Sequence, residues 1–366
     1  MNRRRFAIAG LAVLLGTSLA GWLATPAIAA ESPGAVYTMT NAVQGNQVLV
    51  FDRDAHGTLT AAGAVSTGGA GSGGGLDPLV SQGSLVLTGD HRFLLAVNAG
   101  SSDVSVFRVT SQGLELVDRA PSGGTLPVSI ATYHDLVYVL NAGGTANIAG
   151  FKLGHTGQLT PLVDATRTLG AGGFSQVGFD PRGENLVVTA RTANALLVFP
   201  LDDAGKPASG PIASPSSGAG PFGFVFDRRG HLLVAEAGTN AVSSYEIGDD
   251  GTLAVISASV ANGQTATCWI TGGGTHHAFT ASPGTHAISS YAIQPGHGTL
   301  RLVAGVAGTG ARPLDMATST GGRFVYALDP GSGQIDAFET RADGTLSPLT
   351  PAAAPIAIYA QGLAAR

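Results

Sequence analysis

A single cysteine, Cys268, serves all 366 residues, so no intrachain disulfide can form and the fold must be stabilised by packing. Charge is scarce as well: Asp, Glu, Lys and Arg together make up 12% of the chain, and the net charge is −5. Three arginines, Arg3, Arg4 and Arg5, crowd the N-terminal end, so the remainder is more acidic still. With no basic run and no aromatic-plus-basic stripe, nucleic acid is excluded as a partner. No segment sustains a 3.6-residue apolar period, which excludes a helical bundle. Also missing are a G-x-S-x-G elbow, a Walker loop, a dinucleotide fingerprint and a C-x-x-C-H haem attachment site. What is abundant is glycine, at 54 positions, within a chain that is 44% apolar. That composition is too apolar for a disordered chain and sufficient for a large core.

The one long apolar run is N-terminal. Phe6 to Leu23 follows the arginines, and Ala27-Ile28-Ala29 supplies the small residues of a signal-peptidase site. Residues 1–29 therefore read as a signal peptide, and Arg3-Arg4-Arg5-Phe6 also fits the twin-arginine export pattern. The run is just long enough to span a bilayer as an uncleaved anchor, but Pro26 and the A-x-A site favour cleavage. The expected location is extracytoplasmic, secreted or periplasmic, with no membrane attachment after cleavage. Residues 30–366 are expected to form one domain.

Within that domain an aromatic residue closes a short strand at Phe51, Phe107, Phe151, Phe199, Tyr245, Tyr291 and Phe338. The intervals are 56, 44, 48, 46, 46 and 47 residues. A glycine follows six or seven residues after each: Gly57, Gly113, Gly157, Gly205, Gly251, Gly298 and Gly344. Each unit divides into four short strands; in one, they are Pro221–Asp227, Leu232–Gly238, Ala241–Ile247 and Thr252–Ser257. Seven four-stranded repeats of this length predict an all-β, seven-bladed β-propeller. The first unit lacks an inner strand, because Val36–Asn41 corresponds to the second strand of later units. Ile358–Leu363 is expected to supply it and clasp the ring. The Gly-rich run Gly68–Gly75 accounts for the longest interval and reads as a flexible loop between blades one and two.

Tyr138-Val139-Leu140-Asn141 is close to a YVTN signature, and Phe93–Phe107 and Val187–Asn194 carry further family-like sequence. On these residues the chain resembles the lactonase-like seven-bladed propellers, a family that includes propeller-type 6-phosphogluconolactonases, carboxy-muconate lactonising enzymes and YVTN-repeat proteins. The resemblance implies hydrolysis, or formation, of a small lactone or carboxylated ring ester, by a monomer and without a cofactor. It departs at two inner strands, Phe174–Phe179 and Pro221–Phe226, where a P-H-x-H pattern would be typical and no histidine occurs. That absence and the export signal point away from a cytosolic sugar-phosphate lactone.

Propeller sites usually occupy the face that carries the blade-to-blade loops. Candidates from the second-to-third strand loops there are Asn98, Asn141, Arg191, Glu236, His286 and Asp329. The starts of the inner strands add Gln82, Gln176, Arg312 and Gln361, with Asp315 slightly deeper. Glu236 sits in the apolar stretch LLVAEAG, where a carboxyl with raised pKa would act as general base or acid, with His286 as the alternative base. Arg191 and Arg312 would hold a substrate carboxylate or the developing oxyanion. Gln82, Gln176, Asn98, Asn141, Asp315 and Gln361 would line the substrate site. Two other readings stay open: Glu236 as an arginine-paired structural bridge, and the whole molecule as a non-catalytic propeller binding a ligand or protein at its funnel. Cys268-Trp269 reads as core. His56, His91, His134, His231, His276, His277 and His297 read as solvated turn residues. No metal site is expected, since adjacent His276 and His277 point opposite ways on a strand.

Overall fold

The computed structural model describes residues 31–272 and 276–366, so the signal-peptide reading of residues 1–29 lies outside the described residues. Glu31–Arg366 forms one compact unit. Among the described residues every regular element is a strand, and the strands form seven antiparallel sheets, each four strands deep from axis to rim. The inner strands of blades 2 to 7 are Leu85–Leu87, Thr125–Tyr133, Phe174–Phe179, Pro221–Phe226, Trp269–Gly272 and Met316–Thr318. They pack on one another in that order around the axis. The expected seven-bladed propeller is what the chain forms.

Ring closure follows the reading from the sequence, with shifted bounds. The C-terminal strand Gln361–Ala365 is the inner strand of blade 1 and pairs antiparallel with Gly34–Met39, placing Val36 opposite Ala365. Arg53, 2% exposed, locks this junction by donating to the Arg366 carbonyl and pairing with the Glu31 carboxylate at 3.3 Å.

Burial explains the strand grammar. Second strands such as Phe93–Asn98 and Phe324–Asp329 are buried at every position, because each blade is sandwiched between two neighbours. Outer strands such as Leu59–Ser66 are almost wholly exposed. The recurring glycine, except Gly113, is a blade-to-blade contact. Gly57 has φ +85°, and a Cβ there would collide with the Phe324 ring of blade 7. Tyr326 then donates to the Gly57 carbonyl at 2.9 Å, so the same glycine helps close the ring.

Two expectations fail here. His231 is not a solvated turn residue: its Nδ1 lies 2.7 Å from Asp227 Oδ2, and its side chain is 12% exposed. His277 is likewise half-buried, and burial pushes its pKa down. Nor is Gly68–Gly75 a loose loop. Gly71 and Gly73 donate to the carbonyls of Ala42 and Asn41 at 2.8 and 2.9 Å, and the Asn41 side chain accepts from Ser72 N. A Cβ at Gly71 would meet the Asn41 backbone, so glycine is required for this close approach.

Candidate functional site

Beyond Gly75 the chain turns into the ring, and Leu76–Gly83 forms a plug across the axial channel. Leu79 joins the apolar cluster of blades 1 to 4, while Leu76 packs on the cluster holding Phe222, Trp269 and Leu314. Ser81 Oγ donates to the Val128 carbonyl of blade 3 at 2.8 Å, and Gln82 N donates to Ser175 O of blade 4 at 3.1 Å. On the far wall, in blade 6, Ile270 N donates to Gln82 Oε1 and Gln82 Nε2 donates to Ile270 O, both at 2.9 Å. Trp269 Nε1 donates to the Ser81 carbonyl at 2.9 Å.

The plug brings a carboxyl into the channel mouth. Burial pushes the Asp77 pKa well above the ordinary carboxylate value, and the neighbouring Asp315 charge raises it further. Asp315 is itself 2% exposed, and burial lifts its pKa to about 7 against the pull of the Gly362 N–H, which donates to Oδ2 at 2.9 Å. Gln361, fully buried, lies beside Asp77 and its amide draws the Asp77 pKa down, although neither amide atom has a partner in good hydrogen-bond geometry. Asp77 Oδ1, Arg191 Nε and Ser175 Oγ are also buried and without partners. Cys268 ties these groups together: both the Asp77 and Arg191 charges act on its thiol, whose pKa burial pushes to about 12. A cluster of buried, unpartnered polar atoms is uncommon in a folded protein and marks a place where water or a ligand completes the bonding.

Arg191 reaches this mouth because blade 4 departs from the repeat. The position after the second strand's last anchoring residue is Ala99, Ala142, Ala237, Pro283 and Pro330 in blades 2, 3, 5, 6 and 7, but arginine in blade 4.

Several other sequence-derived candidates are engaged elsewhere or lie exposed. Glu236 is fully buried inside blade 5: Gly218 N and Ser243 Oγ donate to Oε1 at 2.8 and 2.5 Å, and Thr239 Oγ1 and Ser259 Oγ to Oε2 at 2.9 and 2.7 Å. Its partners are hydroxyls and an amide, so the arginine-bridge alternative is not what forms. Asn98, Asn141 and Asp329 fill the same blade position. Asn141 donates to Ser122 O at 3.0 Å, Asp329 accepts from Arg312 N at 2.8 Å, and Asn98 joins Asn46, Asp103 and Ser105. The anchoring position thus pins loops rather than facing substrate. Arg312 is exposed, in the segment leading into the inner strand of blade 7. His286 is exposed too, at a left-handed turn (φ 55°) matched by Asn194 and Asn240 in blades 4 and 5. Gln176 clamps blade 5, accepting from Phe224 N at 2.7 Å and donating to Phe224 O at 3.1 Å. Gln82, Asp315, Gln361 and Arg191 gather at the mouth. Asp77 was missed by sequence reasoning, although the 56-residue first interval marked the insertion that carries it.

Fold and site together define a seven-bladed β-propeller whose axial channel is plugged beneath a small polar mouth. The sequence model of the family described as lactonase, 7-bladed beta-propeller, matches residues 35–173 and 237–355, and the chain belongs to that family. The unmatched stretch 174–236 contains Gln176, Arg191 and Glu236. No curated protein matches the sequence. Among solved structures, a candidate 6-phosphogluconolactonase from Bacteroides uniformis is similar at 21% identity and TM-score 0.72, covering 90% of this chain and 99% of that one. The periplasmic gluconolactonase of Pseudomonas aeruginosa is similar at 18% identity and TM-score 0.70, covering 89% and 97%. A functionally unknown protein from Desulfotomaculum acetoxidans reaches TM-score 0.73 at 13% identity, covering 91% and 98%. These likenesses are to the fold.

Proposed function

We propose that the protein is a lactone hydrolase acting outside the cytoplasm, with its site at the plugged channel mouth around Asp77, Asp315, Arg191 and Gln361. The observation that carries this reading is the concentration of unpartnered buried polar atoms beside two carboxyls of raised proton affinity. Asp77 accepts a proton from the water that attacks the lactone carbonyl carbon. Arg191 faces the oxyanion that forms. As the ring C–O bond breaks, Asp77 returns the proton to the leaving oxygen, and a hydroxy acid is released. The raised proton affinity of the Asp77 carboxyl suits it to hold the proton between the two halves of that transfer. Asp315, too buried to meet substrate, keeps the Asp77 pKa high.

The local charge selects the substrate. One arginine against two carboxyls disfavours a phosphate group, so the ring is an unphosphorylated lactone, in keeping with the absence of inner-strand histidines. Family membership and the gluconolactonase among the structural neighbours support the reaction class. The leader-like residues 1–29 support export. The test is a panel of matched lactones with and without phosphate, offered to wild type and Arg191→Gln. Faster opening of the unphosphorylated member, lost in the variant, is the expected outcome. Preference for the phosphorylated member overturns the specificity, and no opening of any lactone leaves a ligand-binding propeller.

A further inference from the structure

We infer that Gln82 is a positioning residue for this site: its side chain crosses the axial channel and holds in place the plug that carries Asp77. The inference rests on the proposed site, but its structural half is testable alone.

The plug is bonded asymmetrically. On the near side its backbone is tied by Ile130 N to Gly83 O at 2.8 Å and by Gln82 N to Ser175 O at 3.1 Å. On the far side the Gln82 amide meets backbone groups of two different blades: Ile270 N and O in blade 6, and Phe224 O in blade 5 at 3.4 Å. The Gln82 amide supplies from one side chain both the donor and the acceptor that this wall requires. The backbone between the tether and the carboxyl is strained: Asp77 and Val80 both have φ 50°, and a β-branched residue rarely adopts that conformation. Such strain persists only where surrounding contacts over-determine it. Loss of the far tether therefore lets the Asp77 turn relax away from Arg191 and Gln361.

Trp269 reports on this directly, because it donates to Ser81 O within the plug and the chain's other tryptophan, Trp22, lies in the leader. The experiment uses residues 31–366, which form a compact unit. Gln82→Ala is expected to raise acrylamide quenching of Trp269 severalfold with an unchanged far-ultraviolet spectrum. It should lower lactone kcat by about tenfold or more while KM moves little, since small misplacements of a reacting group act on the chemical step. Gln82→Glu gives the sharper test. Its protonated carboxyl can donate to Ile270 O and accept from Ile270 N, whereas its ionised form faces two carbonyls. Near-wild-type quenching and kcat at pH 5, with an alanine-like phenotype at pH 8, support the tether. Unchanged quenching in Gln82→Ala overturns it, whether or not any lactone is opened. Exposed Trp269 with undiminished kcat overturns the positioning role while sparing the proposed function. A wild type that opens no lactone removes the function, and quenching then decides the tether alone.

Discussion

Replacing Glu236 by alanine should destabilise the propeller without touching its chemistry. The carboxylate is fully buried and accepts four hydrogen bonds, from Gly218 N, Ser243, Thr239 and Ser259. The three hydroxyls can rotate towards other acceptors once it is gone, but the Gly218 N–H cannot and is left buried. An orphaned donor costs about 1–3 kcal/mol, and lost charge-assisted bonds about 1.5–3 kcal/mol each. Removing a buried charge that has no cationic partner returns part of that loss. The net expectation is about 3–4 kcal/mol. Glu236→Gln should cost only about 1 kcal/mol, since its oxygen still serves Gly218 and Ser243 while its NH2 donates to the two remaining hydroxyls after they turn. Urea unfolding followed by tryptophan fluorescence measures the loss, and lactone turnover per folded molecule should stay within about twofold of wild type. A stable but inactive Glu236→Gln protein would refute this reasoning and restore Glu236 to the chemistry.

Gly57→Ala should lower stability by about 2–4 kcal/mol, from the left-handed φ and the forced displacement of Phe324 at the closing blade contact, read as a fall in Tm. Asp315 offers a pH test, since its pKa rises from 3.8 unfolded to about 7 folded. Between those values the folded protein holds a proton that the unfolded chain releases, so stability falls as pH rises through the window, by up to roughly 4 kcal/mol. Asp315→Asn should therefore gain on wild type between pH 5 and pH 8 in urea unfolding, and a pH-independent difference would count against it. Cys268, 9% exposed with its thiol pKa pushed to about 12, should resist a thiol reagent at pH 8 until the protein is unfolded.

The repeat was legible because blade packing repeats. An aromatic at the end of each third strand is followed by a glycine six or seven residues on, and six of those seven glycines, all but Gly113, serve the same blade contact, so they recur at a fixed spacing. The closing strand was legible because the first blade visibly lacked one. The site was harder to read, since it is built where the repeat breaks. Glu236 stood out as a charge in an apolar strand, yet burial there met hydroxyls that a sequence does not place. Arg191 stood out as a charge, in a blade whose neighbours carry alanine or proline at that position. Asp77 hid behind a glycine run whose composition suggests flexibility, while its glycines in fact permit tight backbone contacts that steer the plug inward.

The account's central claim is that Asp77, carried by the plug, handles the proton in lactone opening. Proton release by residues 31–366 across γ- and δ-lactones, wild type beside Asp77→Asn, tests it most directly. The account predicts release by the wild type that falls by about a hundredfold or more in an equally stable variant. An undiminished rate in Asp77→Asn would contradict it.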